Sequence, residues 1–304
     1  MDWNTAIKGF KSYLILERSL SVHSVDAYLH DISKLQEYIE LNNLDISPAK
    51  LTHRDLSGFI QFINDLGLGD RSQSRILSGI RAFYKYLLIE NLVDDDPTEL
   101  VEGPKLKRTI PDVLSYEEIK QIIEAIDLSE ETGHRNRAML ETLYACGLRV
   151  SELITLKLSN YYADIEYIKV LGKNNKERII PIGKEAVNQN QLYINSYRNK
   201  IDIKPGHEDY IYLNRRGKAL SRVMVFTIIK KLVEKAGIKK IVSPHTFRHS
   251  FATHLVEGGA DLRSVQDMLG HESIITTEIY THVDTKFLRD TIMKYHPRNR
   301  NDNI

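Results

Sequence analysis

Between residues 243 and 255 the chain reads SPHTFRHSFATHL, which sets His245, Arg248, His249 and His254 close together on one predicted helix. His271 follows in LGHES and Tyr280 in TTEIYTHV. Three chemistries compete for this cluster. His245 and His249 are spaced i, i+4, as zinc ligands on a helix are. Against a metal, Thr246 stands where H-E-x-x-H has its glutamate, Arg248 puts a fixed positive charge beside the ligands, and no cysteine lies nearby. His249 and His254 can also be read as half-buried, hydrogen-bonded histidines on a helix whose apolar stripe is Phe247, Phe251 and Leu255. The third chemistry is anion binding. Ser243 as N-cap and Pro244 as first helical residue put His245 in the first turn, where unpaired N–H groups and the helix dipole attract negative charge. Arg248 shares that face, and its planar fork suits two phosphate oxygens. The pattern fits phosphate better than metal.

The flanking residues extend this reading. Gly258-Gly259 ends the helix, and ADLRSVQDMLG predicts a second short one, capped by Asp261, with Leu262, Val265, Met268 and Leu269 inward. Gly270 breaks it and presents His271. SIITTEIYTHV is expected to be helical, and a tyrosine there is ordinarily core; Tyr280 gains weight only from its neighbours. From Arg215 to Arg248 there are ten Lys or Arg and one acid, Glu234, which suggests a surface that tracks phosphates. The whole-chain charge of +1 names no partner, so local segregation carries the signal.

The chain's 304 residues suggest two domains. Residues 1–95 read as a small helical domain. Ile7, Phe10, Tyr13, Leu14 and Leu16 form one stripe; Val25, Ile32, Leu35 and Ile39 form another. Thr52 is a predicted N-cap, and Ile76, Ile80, Phe83 and Leu87 point inward opposite Arg71, Arg75, Arg81 and Lys85. Residues 96–112, with Pro97, Pro104 and Pro111, read as an extended linker. In 113–304, Ser115 and Glu118 form a capping box, HRNRAMLETLYACG is a helix ending at Gly147, and RVSELITLKLSNY is a further helix. YIKVLGKNNKERIIPIG is a β-hairpin turning at the two asparagines. The fold class is mainly α with a small antiparallel β-sheet. One cysteine, Cys146, permits no internal disulfide and fits a reducing compartment. No signal-peptide run opens the chain, and the longest apolar run is far short of the ~20 residues that span a bilayer. A cytoplasmic protein with no membrane partner is expected.

Taken in order, these motifs resemble one family. HTFRHSFATHLVEGGADLRSVQDMLGHESIITTEIYTHV resembles the C-terminal signature of the tyrosine recombinases, the phage integrase family. ACGLRVSELITL resembles its first arginine motif, VLGKNNKERIIPI its lysine hairpin, and LSVHSVDAYLHDI with SRILSGIRAFYKYLLIENLVDDDP its core-binding domain. The resemblance covers nearly the whole chain. It is nearest the Xer chromosome-dimer resolvases, and the tail FLRDTIMKYHPR is nearest their XerD branch. Asn174 stands where the family often has glycine; with Lys173 intact, a variant turn is expected.

The resemblance implies a two-domain DNA clamp, with a helical core-binding (SAM-like) domain and a catalytic domain, and metal-free, cofactor-free chemistry. It assigns Tyr280 as nucleophile forming a 3′-phosphotyrosyl link, Arg149 and Arg248 as the phosphate clamp, and Lys173 as general acid. His245 would assist proton transfer or bind phosphate, and His271 would bond the same phosphate. Glu152 either orients Arg149 or faces solvent. Partners implied are double-stranded DNA with inverted half-sites, a related recombinase or a second copy in a tetrameric synapse, and a cell-division DNA translocase. Rival readings are a mobile-element integrase, a type IB topoisomerase and a non-catalytic DNA-binding protein. After Asp284, Phe287, Leu288, Thr291, Ile292 and Tyr295 share a helix face. Such a helix can fold back on its own domain; in the resembled family it instead docks on a neighbouring protomer, so truncation after Asp284 is expected to leave a folded protein that occupies one half-site and loses cooperative filling of the second and strand exchange.

Overall fold

The computed structural model describes residues 1–105, 112–172, 177–270 and 282–299. The chain divides into two compact units, Met1–Thr109 and Ile110–Ile304. Among the described residues no helix is long and apolar enough to cross a membrane.

The first unit is built from α1 (Trp3–Leu16), α2 (Val22–Leu41), α3 (His53–Asp65) and α4 (Asp70–Ile89). Polar caps set the starts: Asp2 accepts from the Thr5 amide, Ser21 from Ser24, and Thr52 and Asp55 close a capping box. Phe10, Ile32, Leu35, Leu56, Phe59, Ile76, Ile80, Phe83 and Leu87 are buried. Leu16, expected on the α1 stripe, is instead exposed at the last turn, beyond the reach of the core. On the basic face of α4, Arg75 is held by the buried carboxylate of Asp31 at 2.6 Å. A Cβ at position 79 would lie 2.8 Å from that carboxylate, so Gly79 is what lets α2 approach α4. The segment expected as linker begins inside this unit: Thr98 and Val101 are buried, and Arg81 donates to the Val101 carbonyl at 2.9 Å.

In the second unit α5 (Tyr116–Glu124) starts at the Ser115–Glu118 capping box. α6 (Gly133–Ala145) is buried on every face from Ala138 to Ala145 and runs through the core. Next come α7 (Val150–Ile154) and the antiparallel strands β1 (Tyr161–Tyr162), β2 (Tyr167–Leu171) and β3 (Glu177–Pro181), in sheet order β1-β2-β3. Ile168 pairs with Ile180 and Val170 with Arg178. The helix expected over RVSELITLKLSNY stops at Ile154. The backbone beyond it is taken up by residues 209–211: Leu158 donates to Asp209 and Ile211 donates to Leu156. The fold closes with α8 (Lys184–Ser196), α9 (Arg222–Lys235), α10 (Pro244–Glu257), α11 (Leu262–Leu269) and α12 (His282–Tyr295).

The terminal segment lies against its own unit. α12 packs on β3, α10 and α11 of its own unit, burying Leu288 and Ile292. His296 is fully buried, its ring 4.6 Å from that of Tyr144 and 5.6 Å from that of Phe251. Arg298 forks onto the buried carboxylate of Glu141 and also donates to the Tyr116 hydroxyl. Truncation after Asp284 would strip Leu288 and Ile292 from the core and leave Glu141 buried without its cation, an arrangement that strongly destabilises proteins. The shortened chain is therefore expected to lose its cooperative unfolding transition rather than fold normally.

Two stability measurements probe this packing. Ile292→Ala should cost about 2–5 kcal/mol in urea unfolding. Burial, with His254 close by, lowers the pKa of His296 to about 3. In the unfolded chain it returns to about 6.5. Between those values the unfolded state binds the extra proton, so stability is full above 6.5 and falls as pH drops toward 3. His296→Phe should unfold with a shallower pH dependence across that window; an unchanged slope would show that His296 does not carry it.

Candidate active site

Two tight backbone features bring the arginines together. Gly147 ends the α6 turn at φ +56°, where a Cβ would meet the Phe251 ring at 2.3 Å. That turn delivers Arg149 to the start of α7. One α7 turn later Glu152 reaches back, accepting from the Arg149 amide at 2.8 Å and from its guanidinium Nη1 at 2.9 Å. Arg149 Nη2 donates to the Gly270 carbonyl at 3.2 Å. Arg248, buried on α10, donates from Nη1 to Gly147 O at 2.7 Å and from Nη2 to Leu269 O at 2.5 Å, and its Nη1 lies 3.9 Å from Glu152. Burial and the nearby Arg149 lower its pKa to about 10, so it remains a cation at neutral pH.

Glu152 is buried, and it orients Arg149 instead of facing solvent. A third arginine completes its environment. Arg178, on β3, forks onto both Glu152 oxygens at 2.7 and 2.8 Å and gives Nε to the Met268 carbonyl at 3.0 Å. Burial works against the Glu152 charge, but the Arg178 fork and the Arg149 contacts more than offset it, holding the carboxyl below its usual range. Sequence reasoning did not single out Arg178. The signal was present: in ERIIP, position 178 is in phase with Ile180, so the strand turns a charged side chain into the core.

The histidines separate. Ser243 caps α10, its hydroxyl accepting from the Thr246 amide at 3.3 Å, and Pro244 follows as its first residue. His245 is exposed in that first turn, three residues before Arg248, and His249 is exposed a turn later. His254 is half-buried, with Nδ1 2.8 Å from the Tyr144 hydroxyl, the satisfied histidine that its place in the helix suggested. Among the described residues no three His, Cys, Asp or Glu side chains group as metal ligands do. Lys173, His271 and Tyr280 lie outside the described residues. In the basic run Lys240 is tied to Glu118 at 2.7 Å and Arg248 is inside the site, while Arg215, Arg216, Lys218, Arg222, Lys230, Lys231, Lys235 and Lys239 are exposed.

Three guanidinium groups around one carboxylate leave a net positive site with Arg149 at its partly exposed edge. Such a site stabilises an oxyanion or a phosphate and repels a cation. Arg248→Lys keeps the charge but cannot bridge Gly147 and Leu269 as the fork does. In the DNA cleavage that the resemblance implies, its rate should fall by about 10²–10³-fold, with single-turnover assays as the measurement. A rate near wild type would remove the fork from the mechanism.

Comparison with known proteins places this geometry. A model described as "Phage integrase family" matches residues 112–286, and one described as "Phage integrase, N-terminal SAM-like domain" matches residues 7–91. Tyrosine recombinase XerD of Oceanobacillus iheyensis is 41% identical over 96% of this chain and 98% of its own. The protein of the same name from Chlorobaculum tepidum is 42% identical over 97% of each. A solved structure of XerH site-specific recombinase bound to its difH substrate has a TM-score of 0.67 at 22% identity, covering 84% of this chain and 76% of that one. Lambda integrase residues 75–356, a dimer bound to a COC' core site, has a TM-score of 0.70 at 17% identity, covering 92% and 99%. Those two structures share the fold of this chain: mostly helical, with a three-stranded antiparallel sheet. On a family match over more than half its length and near-full-length relatives at about 40% identity, this chain belongs to the phage integrase family, the site-specific tyrosine recombinases.

Proposed function

We propose that this tyrosine recombinase acts through a 3′-phosphotyrosyl intermediate formed by Tyr280, and that its task is resolving chromosome dimers at segregation. The Tyr280 oxygen attacks the scissile phosphorus, the P–O5′ bond breaks, and the protein is left joined to the 3′ phosphate. Lys173 gives a proton to the departing 5′ oxygen. Arg149 and Arg248 hold the non-bridging oxygens and stabilise the charge that builds on them. His245 assists proton transfer at Tyr280 or binds the phosphate, and His271 hydrogen-bonds it. The 5′ hydroxyl of a partner strand then attacks the phosphotyrosine and frees Tyr280. One bond forms for each that breaks, so no external energy donor enters the balance.

The observation that carries this reading is the pair of arginines gathered on Glu152 at the start of α7 and the first turns of α10. The near-full-length likeness to proteins named XerD supports the dimer-resolving role over mobile-element integration. The proposed partners are duplex DNA with inverted half-sites, a related recombinase or second copy in a tetramer, and a cell-division DNA translocase, and the proposed location is the cytoplasm. Residues 1–95 would grip DNA and 113–304 would cut it, with 96–112 between them. For α12 and the residues after it to serve a neighbouring protomer, whatever replaces them at home must bring a cation to Glu141, because that carboxylate is fully buried.

The test uses a duplex enriched by this protein from random sequence and nicked near the scissile phosphate. Wild type should be trapped as a slower covalent species and should exchange strands between two duplexes, which a type IB topoisomerase does not need to do. Tyr280→Phe removes one oxygen; it should bind the same duplex and never be trapped. Equal trapping of the Phe variant would dismiss Tyr280 as nucleophile, and a reaction lost in EDTA and restored by zinc would reopen the metal reading.

A further inference from the structure

We infer that Arg178 is a positioning residue of the cleavage reaction, one that takes up the charge of Glu152 so that Arg149 and Arg248 keep theirs for the scissile phosphate. The inference rests on the reading of those two arginines as phosphate ligands.

Arg178 itself is closed to DNA. It is 6% exposed, and all three of its guanidinium nitrogens donate inside the protein, two to Glu152 and one to Met268. What it does is therefore done through Glu152. Each carboxylate oxygen is shared. Oε1 takes Arg178 Nη1 at 2.7 Å and Arg149 Nη1 at 2.9 Å; Oε2 takes Arg178 Nη2 at 2.8 Å and the Arg149 amide at 2.8 Å. Arg178 thus supplies the bidentate partner, the stronger mode for a carboxylate, and Arg149 spends one side-chain bond on orientation. Remove Arg178 and the buried negative charge has only Arg149, and Arg248 at 3.9 Å, to answer it. The two cations would then turn inward, and a phosphate would meet a site with one positive charge fewer.

The same residue also fixes where the site sits. Its Nε bond reaches the last turn of α11, and a Cβ on Gly270 would lie 3.2 Å from the Arg178 side chain. β3 and the end of α11 are held against each other through this one side chain. The Gly270 carbonyl in turn accepts from Arg149. A plain structural tie would account for these contacts too, so the test must separate charge balance from packing.

Covalent trapping on the nicked duplex does so with three variants, each followed by thermal melting and by half-site band shifts. Arg178→Gln should bind DNA within about threefold of wild type and form the covalent species about 10–100-fold more slowly, the scale on which supporting partners of a charged site act. Adding Glu152→Gln to it removes the stranded charge, and the double variant should recover at least about tenfold of that loss. A packing role predicts the opposite, since the double variant has lost more buried bonds. Arg178→Lys keeps the charge without the fork and should stay within about tenfold of wild type, in contrast to Arg248→Lys; it carries the test should Arg178→Gln not fold. Full activity in Arg178→Gln, no recovery in a folded double variant, or a loss in Arg178→Lys as deep as in Arg248→Lys each overturns the inference. Failure of wild type to be trapped at all would instead overturn the functional reading beneath it.

Discussion

Burying a carboxylate costs several kcal/mol unless cations and hydrogen bonds answer it, and the second unit is organised around meeting that demand at Glu152. One partner is local, Arg149 at the start of α7, and two come from places distant in the chain, Arg178 on β3 and Arg248 on α10. The same cations then use their remaining donors on the carbonyls of Gly147, Met268, Leu269 and Gly270. One buried charge therefore sets the relative positions of the α6–α7 turn, the sheet and the end of α11. Arg149 and Arg248 are held in place by the protein's own groups, the condition under which stabilising a charge costs no reorganisation.

A second buried acid, on α6, repeats the logic. Glu141 is wholly enclosed, and its cation, Arg298, is 157 residues further along the chain. Around it α6 is apolar or neutral, with Leu140, Leu143, Tyr144 and Ala145 buried. Arg298 follows α12 closely in the chain, so its fork on Glu141 draws the terminal segment over the core and seats His296 against Tyr144 and Phe251. The charge pair gives residues 296–299 a defined address that their modest apolar content would not.

Local chemistry was legible in the sequence wherever it depends on neighbours along the chain. The caps at Thr52, Ser115 and Ser243, the turn at Gly147, the inward stripe of α4 and the hairpin strands all follow from short-range patterns. The order of the arginine, lysine and histidine motifs was legible through their resemblance to the tyrosine recombinases, which spacing alone would not have assigned. What spacing cannot encode is who answers a buried charge. Glu152 in SELI looks the same whether it faces water or three guanidiniums, and Arg178 in ERII looks like a solvated strand residue until its phase against Ile180 is weighed. The helix expected beyond Ile154 failed for a related reason, since pairing with residues 209–211 is a tertiary choice that propensity does not see. Leu16 and the buried start of the segment from residue 96 show the same limit at the edges of elements.

The electrostatics explain how a chain of net charge +1 can handle a polyanion. Affinity for phosphates depends on where the cations stand, and here they are sorted by burial. The lysines and arginines from Arg215 to Lys239 are exposed and can exchange counterions for backbone phosphates, which gives salt-dependent but sequence-blind attraction. Arg178 and Arg248 are withdrawn into a medium of lower dielectric, where a unit charge acts far more strongly over the same distance, and Arg149 stands at its partly exposed edge. A cluster of three such cations would not hold together without an anion at its centre, and it would be useless if that anion cancelled it. One carboxylate among three guanidiniums satisfies both conditions: enough negative charge to assemble the group, and enough positive charge left at the Arg149 edge to attract an anion.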